Sequence, residues 1–339
     1  MDKTIRLLRG GSEVNFNIVE RHRNSPNRRY IDMSFSQKAL DNLTFVLATA
    51  TRPDPTCAIV MGPNGTGKTS LISVFSNEAN IHFKNNKSII IVQVKNILSE
   101  KTFHSLMLEE LGDLSPTKGT LDQLDVRLRA LINNLGVQMV IFDDYHQLVE
   151  ERGRAFARKM TDTIKALCNK TYISAVFVGL PVVEEVLDIN EQIDSRFTNR
   201  IMIPKQTIVA EGSRQQFANF LESYCKLHEV KMDFDLTNED SLLHFYCATE
   251  GNLRVLVNVL EKAKLEGWNE NKSAITKFDL AEIIYDMKPR HLIIKSGKSK
   301  IEGRFFHGKT PNMQNAHSLR VIPFASPISA IKKELGVAK

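Results

Sequence analysis

The sequence predicts an α/β protein in which a parallel sheet carries helices on both faces and is followed by a small α-helical domain. Three observations support this prediction. A glycine-rich motif, residues 62–70, stands between an apolar run and a helical pattern. Short apolar runs then alternate with helical patterns up to about residue 205, which is typical of a parallel sheet wrapped by helices. From about 206 to 288 only helical patterns remain.

Each element follows from its local pattern. Ser34–Ala50 has apolar residues at helical spacing, with Ser34 or Ser36 as the N-cap, and Pro53 and Pro55 follow its end. Near-continuous apolar runs predict buried strands at 57–61, 88–94, 137–144, 173–179 and 201–204. Helical spacing predicts core helices at about 99–111, 120–135, 155–168 and from 181 onward. It predicts helices of the second domain at 211–227, 237–247, 251–266 and 276–286.

The net charge of +6 conceals an acidic body with basic ends. Residues 1–30 hold seven Lys and Arg against three Asp and Glu, and residues 288–339 hold eleven against two, so the middle carries −7. The predicted domains are a basic N-terminal arm (1–29), an α/β nucleotide-binding core (30–205), a helical lid (206–288) and a basic C-terminal tail (289–339). The basic ends indicate contact with phosphate backbones or an acidic partner, or serve as solubilising tails. Residues 324–335 are expected to fold on a partner.

Composition excludes several classes of protein. No apolar run reaches the roughly 18 to 20 residues of a membrane span, and no signal peptide opens the chain, so we expect a cytoplasmic protein. The four cysteines lie far apart in the sequence without C-x-x-C spacing. They are expected to be buried thiols in a reducing compartment rather than metal ligands or disulfides.

The glycine-rich motif predicts a site for ATP and Mg²⁺. It fits G-x-x-x-x-G-K-[ST], with a strand before it and a helix after it, as a phosphate loop requires. Backbone N–H groups and the helix N-terminus would hold the phosphates. Lys68 is predicted to reach the β- and γ-phosphates and the Thr69 hydroxyl to ligate Mg²⁺. The predicted nucleotide-binding residues are Gly62, Pro63, Asn64, Gly65, Thr66, Gly67, Lys68, Thr69 and Ser70.

Two carboxylates end the third predicted core strand. Asp143 and Asp144 follow four apolar residues, and buried carboxylates are costly unless they are paired or bound to a metal. We interpret Asp143 as a holder of Mg²⁺ opposite Thr69, and Asp144 as the residue that polarises the attacking water. The alternative is that one of the two caps the following helix.

Three arginines are candidates for contact with the nucleotide. Arg196 precedes the last strand, where an arginine cannot easily reach its own nucleotide but can reach that of a neighbouring subunit, as an arginine finger in trans. The alternative for Arg196 is a surface arginine paired with Asp194, and Arg200 is the second candidate for the finger. Arg254 opens a helix of the lid and is predicted to contact the nucleotide, with a solvated helix-start arginine as its alternative.

The chain resembles an AAA+ ATPase over about residues 30–288. The motifs that carry the resemblance follow one another in this order: the phosphate loop, Asp143-Asp144, Ser195-Arg196-Phe197 and Gly251-Asn252-Leu253-Arg254. Further stretches resemble the TniB/TnsC transposition ATPases, relatives of MuB: 141–148, 178–181, 194–197 and the basic stretch before the core. The resemblance implies an ATPase that oligomerises on double-stranded DNA, as a ring or helical filament, and recruits or activates a transposase, with a target-selector protein as a further partner.

Two residues depart from the pattern of the family. Asp144 stands where the family has Glu, and its shorter side chain sets the carboxylate farther from the water. Leu180 stands where the family has a polar residue, and its side chain cannot hydrogen-bond to phosphate or water. Both departures indicate slow hydrolysis rather than loss of nucleotide binding.

The acidic body indicates that DNA contacts come from local basic loops. Lys101 and Lys118 lie at or near predicted helix ends of the core, and in the family such elements face the DNA. Two other functions remain open: a helicase loader or replication initiator, and a nucleotide-gated scaffold with little hydrolysis.

Overall fold

The computed structural model divides the chain into two compact units, residues 1–204 and 205–339, called here the core unit and the helical unit. It describes residues 4–6, 13–15, 34–50, 52–85, 87–94, 97–187, 196–287, 289–292 and 321–336. None of the helices in these ranges combines the length and apolar character of a membrane span.

The predicted N-terminal arm contains a short antiparallel ribbon. Strand β1 (Thr4–Arg6) pairs with β2 (Glu13–Asn15). Sequence periodicity did not indicate these strands, because three residues are too few to show an alternation. The basic stretch 21–29 lies outside the described residues.

Five parallel strands form the sheet of the core unit. Their order across the sheet is β4-β5-β6-β3-β7, and every neighbouring pair runs parallel. The strands are β3 (Ala58–Met61), β4 (Ile89–Gln93), β5 (Met139–Asp143), β6 (Ser174–Gly179) and β7 (Asn199–Met202). The predicted parallel sheet is therefore confirmed.

Helices cover both faces of this sheet. They are α1 (Ser34–Thr49), α2 (Lys68–Phe83), α3 (Glu100–Leu111), α4 (Leu121–Leu135), α5 (Gln147–Arg152), α6 (Arg154–Thr171) and α7 (Glu184–Leu187). Alternate strand residues point to opposite faces, so Ala58 and Val60 pack in the cluster that includes α1 and α2. Ile59 and Met61 pack in the other cluster, with α3, α4 and α6. Burial on both faces explains why the strands are apolar throughout.

The helical unit contains α8 (Glu211–Leu227), α9 (Glu239–Thr249), α10 (Leu253–Asn269), α11 (Lys277–Met287) and α12 (Ile328–Glu334). Asn238 and Asn252 cap α9 and α10, because their side chains accept hydrogen bonds from amides of the first helical turn. The prediction of a helical domain after the sheet is confirmed.

Residues 321–336 differ from the expectation that residues 324–335 fold on a partner. Helix α12 packs against α9 of the same chain. The Phe324 ring stacks on His244, with ring centroids 5.0 Å apart, and the Phe324 amide donates to His244 Nδ1 at 2.9 Å. The stretch 321–336 thus belongs to the helical unit rather than to a separate tail.

All four cysteines are free and buried, as predicted. The structure nevertheless brings two of them together across 111 residues of sequence. A hydrogen bond between the Cys57 and Cys168 thiols lowers the pKa of Cys57, and the same bond together with burial raises the pKa of Cys168. Sequence spacing carries no signal of this contact, because Cys57 precedes β3 and Cys168 lies in α6.

The His244–Phe324 contact predicts a pH-dependent stability of the helical unit. Burial lowers the pKa of His244 to about 4, and Lys277 adds to this effect while Asp240 opposes it. At His244 the unfolded chain therefore binds more protons than the folded chain between pH ~6.5 and ~4. The free energy of unfolding is expected to fall by up to about 3 kcal/mol as the pH drops through this window.

Urea unfolding followed by tryptophan fluorescence measures this effect, because the one tryptophan, Trp268, lies in the helical unit. His244→Asn is the matched control, since the Asn amide oxygen accepts the same hydrogen bond but does not titrate. Equal pH slopes for the wild type and His244→Asn would contradict the assignment.

Candidate functional site

The phosphate loop has a shape that only glycine permits at two positions. A Cβ atom on Gly62 would lie 2.2 Å from the carbonyl oxygen of Ile203, so the loop start packs directly on the chain after β7. Gly67 has φ +90°, in the left-handed region that side chains rarely adopt. These constraints hold the loop between β3 and α2.

Helix α2 begins without a side-chain cap. Gly67 is its N-cap and has no side chain to accept a hydrogen bond, and the first turn contains no acidic residue. Helix α3, in contrast, is capped by Ser99. The α2 start therefore combines amide donors with the positive end of the helix dipole, which suits an anion.

Lys68 folds into the loop that it follows. Its ammonium donates to the carbonyl oxygens of Gly62 and Pro63, each at 2.8 Å, and Thr66 Oγ1 donates to the Pro63 oxygen at 3.0 Å. Of the remaining motif residues, Asn64 and Ser70 are exposed and Gly65 has φ +77°. The ammonium thus lies directly against the backbone of the loop.

Thr69 and Asp143 meet where the parallel strands have their C-terminal ends, a side of the sheet called here its carboxyl edge. Thr69 Oγ1 donates to Asp143 Oδ2 at 2.9 Å, which joins the start of α2 to the end of β5. Asp143 is only 2% exposed, whereas Thr69 is exposed. A hydroxyl and a carboxylate are hard oxygen donors, and Mg²⁺ in nucleotide sites takes one or two such ligands together with phosphate oxygens. The donor set therefore fits the predicted Mg²⁺.

Gln93 is a member of this cluster that the sequence analysis missed. Its Nε2 donates to the same Asp143 Oδ2 at 3.1 Å. Gln93 is the polar last residue of the apolar strand β4, which pairs with β5 in a register that sets Gln93 opposite Asp143. A polar residue at the carboxyl end of a buried parallel strand is the signal that identifies it.

Asp144 occupies a strained backbone position beside Asp143. Its φ is +57°, a left-handed conformation that Asp adopts more readily than most residues. Its amide donates to Asp143 Oδ1 at 2.9 Å, and its carbonyl accepts from Gln147 at 3.0 Å. The chain therefore turns sharply after β5 and leaves the Asp144 side chain half-buried at the same edge.

A stack of three aromatic rings supports this turn. Tyr145 stacks on Phe177 with centroids 3.9 Å apart, and Phe177 stacks on Phe197 at 4.4 Å. The Tyr145 hydroxyl donates to Thr161 Oγ1 at 2.7 Å, since Thr161 donates in turn to the Ala157 carbonyl. Burial raises the pKa of Tyr145 well above its ordinary value, so the hydroxyl keeps its proton. No pattern in the sequence indicated this stack of rings.

Arg196 lies on the opposite side of the sheet, where the parallel strands begin, called here its amino edge. Its carbonyl accepts from the amide of Cys57, which precedes β3 and stands five residues before Gly62. At about 3.3 Å per strand residue, this places Arg196 roughly 16 Å from the loop start. Its guanidinium contacts Asp54 at 2.6 Å and Asn169. The structure pairs Arg196 with Asp54, while the alternative partner Asp194 lies outside the described residues.

The other predicted residues belong to other elements of the structure. Arg200 is in β7 opposite Ile59, and its Nε lies 3.0 Å from Glu184 Oε1. Lys101 is exposed in the first turn of α3, and Lys118 is exposed in the connection between α3 and α4. Arg254 is the second residue of α10 in the helical unit, where its amide donates to Asn252 Oδ1 at 3.1 Å. Their functional roles stay predictions.

One family model matches this chain. The model of the family described as "Bacterial TniB protein" matches residues 21–207, more than half of the chain. The chain belongs to the TniB family. No protein with a curated description matches the sequence.

Solved structures show the AAA+ fold of this TniB-family chain. The Aeropyrum pernix ORC1 protein in complex with DNA is similar, with a TM-score of 0.59 and 18% identity, over 79% of this chain and 69% of that chain. The A. pernix ORC2 protein gives a TM-score of 0.58 and 14% identity, over 76% and 70%. Cdc6p from Pyrobaculum aerophilum gives 0.57 and 16%, over 76% and 69%.

The position of the Lys68 ammonium predicts its contribution to nucleotide affinity. Lys68→Ala is expected to abolish binding of a fluorescent ATP analogue, because the loop then lacks its one lysine charge toward the phosphates. Lys38→Ala, which removes an exposed lysine from α1, is the matched control and is expected to bind normally. A folded Lys68→Ala protein with unchanged affinity would refute the phosphate-loop assignment.

Proposed function

We propose that this TniB-family protein is an ATP-dependent regulator of DNA transposition. It binds ATP with Mg²⁺, assembles as a homo-oligomeric ring or filament on double-stranded DNA, and recruits or activates a transposase, with a target-selector protein as a further partner. The observation that carries the proposal is the Thr69–Asp143 hydrogen bond beside the uncapped start of α2. Membership of the TniB family supports the link to transposition.

The loop residues bind the triphosphate. Amides of the loop and of the first turn of α2 donate to the phosphate oxygens, and Lys68 exchanges its bonds to loop carbonyls for bonds to the β- and γ-phosphates. Thr69 and Asp143 would hold Mg²⁺, which would supply positive charge beside the phosphates. Gln93 keeps the Asp143 carboxylate oriented, since its amide holds one carboxylate oxygen.

Asp144 polarises the water that attacks the γ-phosphorus. The new bond forms from the water oxygen, the bond to the β–γ bridging oxygen breaks, and ADP and phosphate result. The Asp144 side chain is one methylene shorter than the Glu of the family, and Leu180 after β6 offers no hydrogen bond to the phosphate or the water. Turnover is therefore slow, and the ATP state is long-lived.

Arg196 completes the site of a neighbouring subunit. It lies at the amino edge of its own sheet, whereas its own phosphate loop lies at the carboxyl edge. A second copy whose carboxyl edge faces this amino edge receives the guanidinium near its γ-phosphate, as an arginine finger. Arg200 is the second candidate, nearer the middle of β7. The working form is accordingly an oligomer.

Lys101 and Lys118 bind the DNA backbone in this proposal. Both are exposed on the core unit, and the body of the chain is acidic, so attraction to DNA has to come from local lysines. Phosphate contacts carry no sequence information, so binding tolerates different sequences and depends strongly on salt.

A nucleotide-gated scaffold is the second candidate function, and Asp144 with Leu180 favours it. Steady-state phosphate release with and without duplex DNA separates the two functions. A protein that assembles on duplex with ATP but releases no phosphate under either condition is a scaffold. DNA-stimulated phosphate release supports an ATPase regulator.

The DNA contacts predict a change in salt dependence. Lys101→Ala with Lys118→Ala is expected to weaken ATP-dependent assembly on duplex DNA and to leave ATP affinity unchanged. Because each lost phosphate contact removes about 0.9 from the slope of log K against log salt, the slope is expected to fall by about two units. The double variant Lys38→Ala with Lys170→Ala is the matched control on the core unit.

The rival view is that the basic residues after Pro289 bind the duplex. Truncation at Pro289 would also remove residues 321–336, which pack on α9. Neutralising Lys295, Lys298 and Lys300 avoids this damage. Loss of duplex binding in that variant, together with an unchanged slope for Lys101→Ala with Lys118→Ala, would contradict the proposed DNA surface.

A further inference from the structure

The helical unit contains an open pocket of about 700 Å³ that the ATP site does not use. It lies where α8 and α10 end, between residues 225–231 and 264–275. Its volume falls within the range of ligand-binding pockets. The lining includes four lysines, one carboxylate and an aromatic ring: Lys226, Lys231, Lys264, Lys272, Glu229 and Trp268.

Backbone hydrogen bonds fix the walls of this pocket. The Ile275 amide donates to the Lys231 carbonyl at 2.8 Å, and Asp233 donates back to the Ile275 carbonyl at 3.1 Å. The Lys272 amide donates to the Gly267 carbonyl at 2.8 Å. The two loops are therefore tied to each other and to α10, so the lysines are carried by a preformed surface.

The lysines are concentrated at this pocket although the residues around it, 205–287, carry a net negative charge. Residues 205–287 hold nine Lys and Arg against fourteen Asp and Glu, yet four of the nine cations line this one pocket. Lys272 is paired with Asp279 and Glu270. Among the described residues, Lys226, Lys231 and Lys264 form no ion pair within 4 Å, so their charges are available to an anion.

Helix capping does not account for this set of lysines. Lys226 lies in the last turn of α8, where a cation stabilises the helix dipole. Lys231 lies outside any helix, and Lys264 is more than one turn before the end of α10. A cation at these two positions gains little from a helix end.

Trp268 adds a flat aromatic surface to the charges. Its side chain is 61% exposed, although an indole is costly to leave in water. The Lys264 ammonium lies 4.6 Å from the ring centroid, a cation–π contact. Exposed aromatic rings beside unpaired lysines are the combination with which proteins bind single strands, since bases stack on the ring while phosphates meet the cations.

We propose that this pocket binds single-stranded nucleic acid, with one base stacked on Trp268 and the adjoining phosphates held by Lys226, Lys231 and Lys264. A duplex fits less well because its bases are already stacked and cannot reach the indole. A purely acidic peptide also fits less well, because it supplies anions for the lysines but no ring to stack on the exposed Trp268. The proposal is independent of the ATP site.

Trp268 fluorescence tests the proposal directly, because this is the one tryptophan in the sequence. Titration of the full-length protein without ATP is expected to give saturable quenching with the 15-mers dT15 and rU15. Their relative affinities distinguish DNA from RNA as the preferred strand. A 15-base-pair duplex and a poly-glutamate peptide are expected to quench the fluorescence less than dT15 does when they are added at the same total concentration of negative charge.

Two sets of variants test the contribution of the lysine charges and the contribution of the Trp268 ring separately. Lys226→Ala with Lys231→Ala and Lys264→Ala is expected to reduce the salt slope of dT15 binding by about two units, at ~0.7 per contact for single strands. The matched control removes three lysines of the same unit outside the pocket: Lys205→Ala, Lys262→Ala and Lys277→Ala. By anisotropy of labelled dT15, Trp268→Ser is expected to lose about five- to one-hundredfold in affinity, and Trp268→Phe is expected to keep most of it.

Three results would overturn the proposal. The first is the absence of quenching by both single strands. The second is quenching by the duplex or by poly-glutamate that equals or exceeds that of dT15, which would assign the pocket to a duplex or an acidic peptide. The third is an equal loss of salt slope in the pocket variant and the control variant.

Discussion

The parallel direction of all five core strands is the constraint on which the rest of this structure depends. Parallel strands bring their carboxyl ends to one edge, so the phosphate loop after β3, Gln93 of β4 and the two aspartates of β5 converge there. The same constraint sends the start of each strand to the other edge, where Arg196 meets Cys57. Within one chain, the residues proposed to bind ATP and the proposed arginine finger, Arg196, are therefore separated by the length of a strand.

The aromatic stack joins these two edges through the interior. Tyr145 follows Asp144 directly, Phe197 follows Arg196 directly, and Phe177 of β6 lies between their rings. The Tyr145 amide also donates to the Val178 carbonyl at 2.8 Å, which ties the turn after β5 to β6. Stacked, buried rings have few alternative arrangements. The backbone beside Asp144 and the backbone beside Arg196 are thus held by one packed group of side chains.

The sequence predicted what local patterns encode. The glycine-rich loop, the strand that ends in Asp143 and the helices of the second unit each have a signature within about ten residues. The contacts between distant residues were not predictable in this way. Gln93 meets Asp143 because of strand order, Arg196 meets Asp54 across the amino edge, and Phe324 packs on His244 from 80 residues away.

The open pocket of the helical unit is likewise a feature that local sequence patterns do not indicate. Lys226 and Lys264 read along the sequence as ordinary surface residues of two helices, and the net charge of their region is negative. Only the loop contacts around Ile275 bring them to one cavity with Trp268. A cluster formed by two separate stretches, in which other residues stand between the lysines, leaves no run of charge to detect.

The central claim is that each ATP site is completed by the arginine of a neighbouring subunit, and a mixing experiment tests it most directly. Lys68→Ala protein lacks a working phosphate loop, and Arg196→Ala protein lacks the finger, so each alone is expected to hydrolyse almost no ATP on duplex DNA. Mixed assemblies contain interfaces at which an intact Arg196 meets an intact Lys68 site. Phosphate release is therefore expected to rise in the mixture to a maximum near equal amounts. Co-assembly of the two proteins, shown by labelling each with a different fluorophore, without any recovery of phosphate release would contradict the account.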